Sequence, residues 1–259
     1  MPVLRRPDGV GLYHEQHGAG TAPPIVLLEG MGGDIPGWRR NIPALATELR
    51  VIAYDFRGNG NSDDPPGPCT MATFVDDTVA LLDSLGVERA HVYGQSFGGM
   101  VAQELALTMP ERVCTLILAC TDMGERSTVR AEGPNAPKHE PWRALYSTAF
   151  PDAHPEHVAD DLRVGAAQPK HPVGGRRQWE AMQRFDSYER LPQLRVPTLV
   201  VHGTEDRLIP VENGRRLAAR IPGAELVLLE GAGHLYHSEQ AEAADAAVLD
   251  FVRRHPCGG

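Results

Sequence analysis

Short, nearly continuous apolar runs recur along the chain at Ile25 to Leu28, Val51 to Tyr54, His91 to Tyr93, Val113 to Ala119, Thr198 to Val201 and Leu226 to Leu229. Runs this brief with no polar alternation are what strands show when both faces are covered, and such strands belong to a parallel sheet. Between them polar positions return with helical spacing, at Trp38 to Leu49, Met71 to Leu85 closed by Gly86, Phe97 to Met109 closed by Pro110, Glu212 to Arg220 and Glu239 to Arg254. The alternation predicts βαβ units. At the start, Val3 to Arg6 and Gly11 to Gln16 flank the turn signal Pro7-Asp8-Gly9, so an antiparallel hairpin is expected to extend one edge and make the sheet mixed. From about Asp122 to Arg190 the strand rhythm stops, and Pro, His and Arg crowd around helix-like stretches such as Trp142 to Phe150 and Arg176 to Tyr188. The pattern predicts a helical cap, residues 122–190, inserted into an α/β core made of residues 1–121 and 191–259.

The 259 residues suffice for one large α/β domain with such an insertion. The net charge of −9 comes from interspersed acids and bases, which argues against nucleic acid or an anionic membrane as a partner and favours a small molecule. Residues Met1 to Arg6 carry no apolar run of signal-peptide length, and nowhere do about 18 uncharged apolar residues follow one another, so a soluble cytoplasmic protein is expected. The four cysteines, Cys69, Cys114, Cys120 and Cys257, lack metal-ligand spacing. They are expected to be reduced thiols, with packing roles for Cys114 and Cys120.

The chemistry is signalled by Gly94-Gln95-Ser96-Phe97-Gly98-Gly99, which directly follows a strand pattern and opens a helix pattern. Glycines on either side of Ser96 let the strand and helix pass closely, so that the serine sits on a strained turn with its hydroxyl pushed out over the sheet edge. A neutral serine is a poor nucleophile and needs a base active near neutral pH, with a carboxylate to fix the base's tautomer. Downstream, Gly203-Thr204-Glu205-Asp206 follows one strand pattern and Gly231-Ala232-Gly233-His234 follows the next. Both groups therefore fall at the carboxyl end of the sheet, as Ser96 does, where ligands of open α/β sheets bind. Asp122, at the end of the run finishing near Ala119, competes with Asp206 as the acid, and Glu205 is adjacent but expected to point elsewhere. His202 is expected to be a buried strand residue and His237 to open the last helix. The cluster Gly30, Gly32, Gly33, Gly37 misses the dinucleotide spacing, and no phosphate-loop signature occurs.

The order Ser96, Asp206, His234 together with Leu28-Glu29-Gly30-Met31-Gly32-Gly33 and Asp55-Phe56-Arg57-Gly58-Asn59-Gly60-Asn61-Ser62 resembles the α/β-hydrolase superfamily along nearly the whole core. Residues Gly98 to Thr121 are similar to its enol-lactonases and small esterases. The resemblance implies a mostly parallel sheet with helices on both faces, a Ser96, His234 and Asp206 triad, and backbone N–H groups of Met31 and Phe97 as oxyanion donors. It implies no metal or organic cofactor. One departure stands out: Glu29 occupies the place where the family usually has a histidine before the glycine. Its carboxylate is expected to turn away toward backbone N–H groups or an arginine, with substrate recognition as the alternative, and Arg57 is expected to pair with a carboxylate, Glu29 being one candidate. Gln95 and Phe97 flank the nucleophile, with Phe97 expected in the pocket wall. Met123, Trp142, Phe150, Met182 and Phe185 are expected either to line an apolar pocket or to form the cap's own core.

The implied function is hydrolysis of a small carboxylic ester or lactone through an acyl-enzyme. Cofactor-free perhydrolysis or haloperoxidation, and carbon–carbon bond cleavage of a β-diketone-like substrate, are alternatives on the same triad. A ligand receptor with a retained triad is the alternative of a different class.

Overall fold

A computed structural model describes residues 2–124, 128–130 and 138–258. Its strands are β1 (Val3–Arg5), β2 (Gly11–His17), β3 (Pro24–Leu28), β4 (Arg50–Tyr54), β5 (Ala90–Gln95), β6 (Val113–Ala119), β7 (Thr198–Gly203) and β8 (Glu225–Leu229). They form one sheet in the order β1-β2-β4-β3-β5-β6-β7-β8. The β1–β2 and β2–β4 pairs are antiparallel and every later pair is parallel, which is the mixed sheet with an edge hairpin that the sequence predicts. The chain steps from β3 outward to β4 and then returns across β3 to β5, so the winding direction reverses between β3 and β5. At such a reversal the loops leaving the two carboxyl ends diverge and open a crevice.

Side chains alternate between two apolar cores, one on each sheet face. Val26, Leu28, Ile52, Tyr54, Val92, Leu116 and Leu118 join helices α2 (Met71–Ser84), α3 (Phe97–Thr108) and α7 (Val211–Arg220) on one side. Ile25, Leu27, Val51, Ala53, Tyr93, Ile117 and Ala119 meet α1 (Ile42–Leu45) and α9 (Ala241–Arg254) on the other. The helix α2 begins at Thr70, whose side chain accepts from the Thr73 N–H in a capping box. Trp38 to Leu49 does not run as one helix: a 3-10 turn at Ile35–Trp38 and α1 divide it. Pro36 and Pro43 each lack the N–H a continuing helix would use and each begins a new turn. The last helical stretch likewise divides at Gln240 into α8 (Tyr236–Glu239) and α9.

Between β6 and β7 the described residues form a 3-10 turn at Pro141–Leu145 and helices α4 (Phe150–Ala153), α5 (Pro155–Ala167) and α6 (Pro172–Met182). The segments 125–127 and 131–137 of the expected cap lie outside the described residues. Among the described helices none is long and apolar enough to cross a membrane.

The reading of four reduced thiols is corrected. Cys114, at the start of β6, is disulfide-bonded to Cys257, just beyond α9, while Cys69 and Cys120 are buried and free. Spacing cannot reveal a pairing across 143 residues; it arises only because α9 runs back along the sheet to the start of β6. Closing so long a loop restricts the unfolded chain, a contribution of about 2–4 kcal/mol. We expect Cys257→Ser to lower the thermal midpoint by roughly 5–10 °C, with reductant lowering wild type to the same value and leaving the variant unmoved. Equal midpoints for oxidised wild type and variant would show that the link does not stabilise the fold.

Candidate active site

The turn after β5 places Ser96 at φ 52°, ψ −117°, a conformation rarely adopted by a residue with a Cβ and costing about 1–3 kcal/mol. The glycines around it are required sterically. A Cβ on Gly94 would collide with the Gly98 carbonyl, and one on Gly98 would strike the Leu28 carbonyl at the end of β3. The strain is held by bonds on both sides: Ser96 N–H donates to Ala119 O at 2.9 Å, and Thr121 Oγ1 donates to Ser96 O at 2.7 Å.

His234 and Asp206 arrive from the loops after β8 and β7. His234 Nδ1 lies 2.8 Å from Asp206 Oδ2, and both side chains are almost wholly buried. The other carboxylate oxygen of Asp206 accepts from Leu208 N–H at 2.9 Å and Ile209 N–H at 2.8 Å. Burial opposes a charge on Asp206, but the positive field of His234 and hydrogen bonds from His202 and His234 outweigh it and hold the carboxyl well below the usual range. An ionised acid on Nδ1 keeps that nitrogen protonated and leaves Nε2 as the basic one. Asp122 is engaged elsewhere, accepting the Gly124 N–H at 2.8 Å, and Glu205 accepts from Thr148 N–H at 3.1 Å.

His202 is the buried strand residue expected, with Nε2 on the Ile209 carbonyl at 2.8 Å and 3.4 Å from Asp206 Oδ2. His237 lies in α8 rather than opening α9, and burial, helped by the nearby charge of His234, lowers its pKa to about 3. Among the described residues one group has metal-ligand character, Cys120, His202 and Asp206, with ligand atoms within 4.8 Å of one another. Its Asp206 already serves His234 and two backbone N–H groups, so these contacts brace the acid.

Ser96, His234, Glu29, Gln95 and Met31 line one cavity of about 520 Å³. The rest of its wall includes Leu145, Tyr146, Leu162, Val164, Leu208 and Leu235, a largely apolar surface. Three candidate pocket residues lie elsewhere. Met123 and Phe185 are buried in the core shared with α2 and α3, and Trp142 packs edge-on against Tyr146 with its centroid 6.3 Å away. Their apolarity is spent in joining the helical segment to the core, while the cavity takes its apolar wall from α5 and from the loops after β7 and β8. Phe97 is likewise core and not wall, its ring edge-on to Phe56 and Phe74. Its backbone N–H, at the first position of α3, has no partner within the helix.

Glu29 neither binds an arginine nor leaves the site. Arg57 pairs with buried Asp77 in a two-pronged contact of 2.6 and 2.7 Å. Glu29 Oε1 accepts the N–H of Gly30 at 2.9 Å, and its side chain packs under Gly33 and Gly37, where any Cβ would crowd it. Its other oxygen is buried with no partner among the described residues. Burial raises its pKa, the Gly30 bond lowers it, Asp34 raises it and His234 lowers it, with a net rise from 4.5 to about 7. Glu29 is thus largely neutral below that pH, and the carboxyl beside the Met31 loop carries less charge than the sequence alone suggests.

Comparison with known proteins adds the following. The profile of the alpha/beta hydrolase fold family matches residues 23–241. A protein of Azorhizobium caulinodans named as a carbamate hydrolase, RutD, is 33% identical, with 97% of this chain and 98% of that protein covered. The enol-lactonase of Burkholderia xenovorans LB400 superposes with a TM-score of 0.85 at 29% identity, covering 97% of this chain and all of that one. A thermophilic esterase of Thermogutta terrifontis gives 0.85 at 30% identity, covering 98% and 99%.

Between pH 4.5 and about 7, unfolding exposes Glu29 and releases its proton, so this group makes the folded state less stable as pH rises through that window. Glu29→Gln keeps an acceptor for Gly30 and removes the titration. We expect the variant to melt higher than wild type at pH 8, by about 1–3 kcal/mol, with the advantage lost at pH 4.5. An equal difference at both pH values would show that Glu29 ionises normally.

Proposed function

The chain belongs to the alpha/beta-hydrolase fold family, and we propose that within it the protein is a serine hydrolase cleaving a small carboxylic ester or lactone through an acyl-enzyme. The observation that carries this reading is the strained Ser96 turn opening on the same cavity as a histidine whose Nδ1 is held 2.8 Å from a buried, ionised acid. That arrangement supports taking a proton from a hydroxyl at neutral pH.

Ser96 Oγ attacks the carbonyl carbon as His234 Nε2 removes its proton, and Asp206 stabilises the imidazolium that forms. Negative charge gathers on the carbonyl oxygen, where the N–H groups of Met31 and Phe97 meet it. No described group accepts from the Met31 N–H within the protein, which leaves it available. As the tetrahedral intermediate collapses, the carbon–oxygen bond to the leaving alcohol breaks and His234 returns its proton to that oxygen. Water, deprotonated by the same histidine, then attacks the acyl-enzyme and releases the acid, restoring the serine hydroxyl.

A second reading, hydrolysis of a carbamate by the same residues, is favoured by the relatives of 33% and 34% identity that carry that name. It differs only in the acyl group, a carbamoyl in place of a carbon chain.

The test is a panel of p-nitrophenyl esters, simple lactones and alkyl carbamates run on wild type, Ser96→Ala and Asp206→Asn. We expect kcat/KM on the best substrates to fall by about 10^3–10^6-fold in the first variant and about 10^3–10^4-fold in the second. The class of compound turned over fastest selects between ester or lactone and carbamate. Equal rates for wild type and Ser96→Ala would remove the serine from the chemistry, and tight binding without Ser96-dependent turnover would instead indicate a ligand receptor.

A further inference from the structure

The loop that carries Met31 is not held by the catalytic residues, and its hydrogen bonds lead to a helix far along the chain. Gly32 N–H donates to Gln178 Oε1 at 2.9 Å. Gln178 Nε2 donates to Asn59 Oδ1 at 3.1 Å, and Asn59 Nδ2 donates to Gly33 O at 2.6 Å. Backbone groups fix both ends of this relay, since an N–H can only donate and a carbonyl can only accept, so the orientation of each amide is determined. Gln178 is fully buried and Asn59 nearly so, and neither is needed to complete the fold's apolar cores. Within the loop, Gly33 N–H donates to Gly30 O at 3.0 Å. That carbonyl shares a peptide plane with the Met31 N–H, so anchoring Gly32 and Gly33 also sets the direction of the Met31 N–H.

Helix α6, which bears Gln178, is seated on the turn after β4 by further contacts. A Cβ on Gly174 would collide with the Gly58 carbonyl, so the two backbones touch there. His171 Nε2 lies 2.9 Å from Gly60 O, and Arg177 pairs with Asp64. The same turn therefore receives α6 and, through Asn59, grips the loop after β3.

We propose that Gln178 is a positioning residue of the oxyanion loop, aiming the Met31 N–H through its bonds to Gly32 and Asn59, so that docking of α6 is a condition of fast catalysis. The inference rests on the serine-hydrolase reading, because it assigns the Met31 N–H to the oxyanion. A misaimed donor weakens binding of the transition state while leaving ground-state binding nearly unchanged, since the charge it stabilises develops only in the transition state. Gln178→Met preserves length and volume but removes both hydrogen bonds. Gly174→Ala leaves Gln178 intact and lifts α6 from its seat.

The experiment measures kcat and KM on the best ester for wild type, Gln178→Met, Asn59→Ala, the double variant and Gly174→Ala, together with inhibition by a boronic acid that forms a tetrahedral serine adduct. Trp179→Ala, which alters an exposed side chain on the same helix, is the control. We expect Gln178→Met to lower kcat by about 10–100-fold with KM within about twofold, and to weaken the boronic acid by a similar factor. Gly174→Ala should show the same split, and the double variant should be little worse than either single variant because both act through one relay. Thermal melts identify any variant that fails to fold, and the remaining variants then decide. The proposal is overturned if folded Gln178→Met or Gly174→Ala keeps wild-type kcat and inhibitor affinity, or if the loss appears in KM alone. Failure of the underlying reading looks different: turnover would then be unaffected by Ser96→Ala.

Discussion

Close approach of three backbone segments governs this structure. The end of β3, the end of β5 and the first turn of α3 meet where Gly94, Gly98 and the Leu28 carbonyl leave no room for side chains. Only because glycine stands at both positions can Ser96 hold a positive φ and present its oxygen above the sheet. The same contact sets the Met31 loop, which continues directly from Leu28, beside the first N–H of α3. The position of this contact follows from topology, since β3 and β5 are neighbours across the reversal of winding, where the sheet opens a crevice.

Charge in the crevice is arranged as deliberately as shape. Asp206 accepts from two backbone N–H groups and meets His234 at 2.8 Å and His202 at 3.4 Å, and stays ionised despite burial. Glu29 receives one donor and is pushed toward neutrality. Two buried carboxyls in one site thus have pKa values shifted in opposite directions because of the number of hydrogen bonds and cations each meets. The acid held by His234 keeps its charge, and the acid beside the loop after β3 sheds its own below about pH 7.

The helices between β6 and β7 do more than roof the cavity. Asp161 of α5 accepts from Arg39, Arg40, Ser238 and Tyr146, while α6 sits on the turn after β4 and reaches the oxyanion loop through Gln178. These attachments are polar and directional, and they add to the apolar packing of Met123 and Phe185 against α2 and α3. The segment is therefore joined to the core at defined points close to the loops after β3 and β8.

The sequence by itself determined the fold class, the sheet's hairpin edge, the tight turn at Ser96 and the loops that bring Asp206 and His234 together, because each is written locally. Apolar runs mark buried strands, glycine spacing marks the tight turn at Ser96, and a glycine-led loop after the last strand marks His234. Pro43 was equally local, yet the helical spacing around it hid the break it imposes. What only the tertiary structure decided lies in contacts between distant segments: the Cys114–Cys257 link, Asp77 as the partner of Arg57, the apolar wall from Leu162 and Leu208, and the relay from Gln178 to Gly32. A buried glutamine on a helix, or a leucine on an exposed turn, has no signature of its own. Its role is set by what the folded chain brings against it, and periodicity along the sequence carries no record of that.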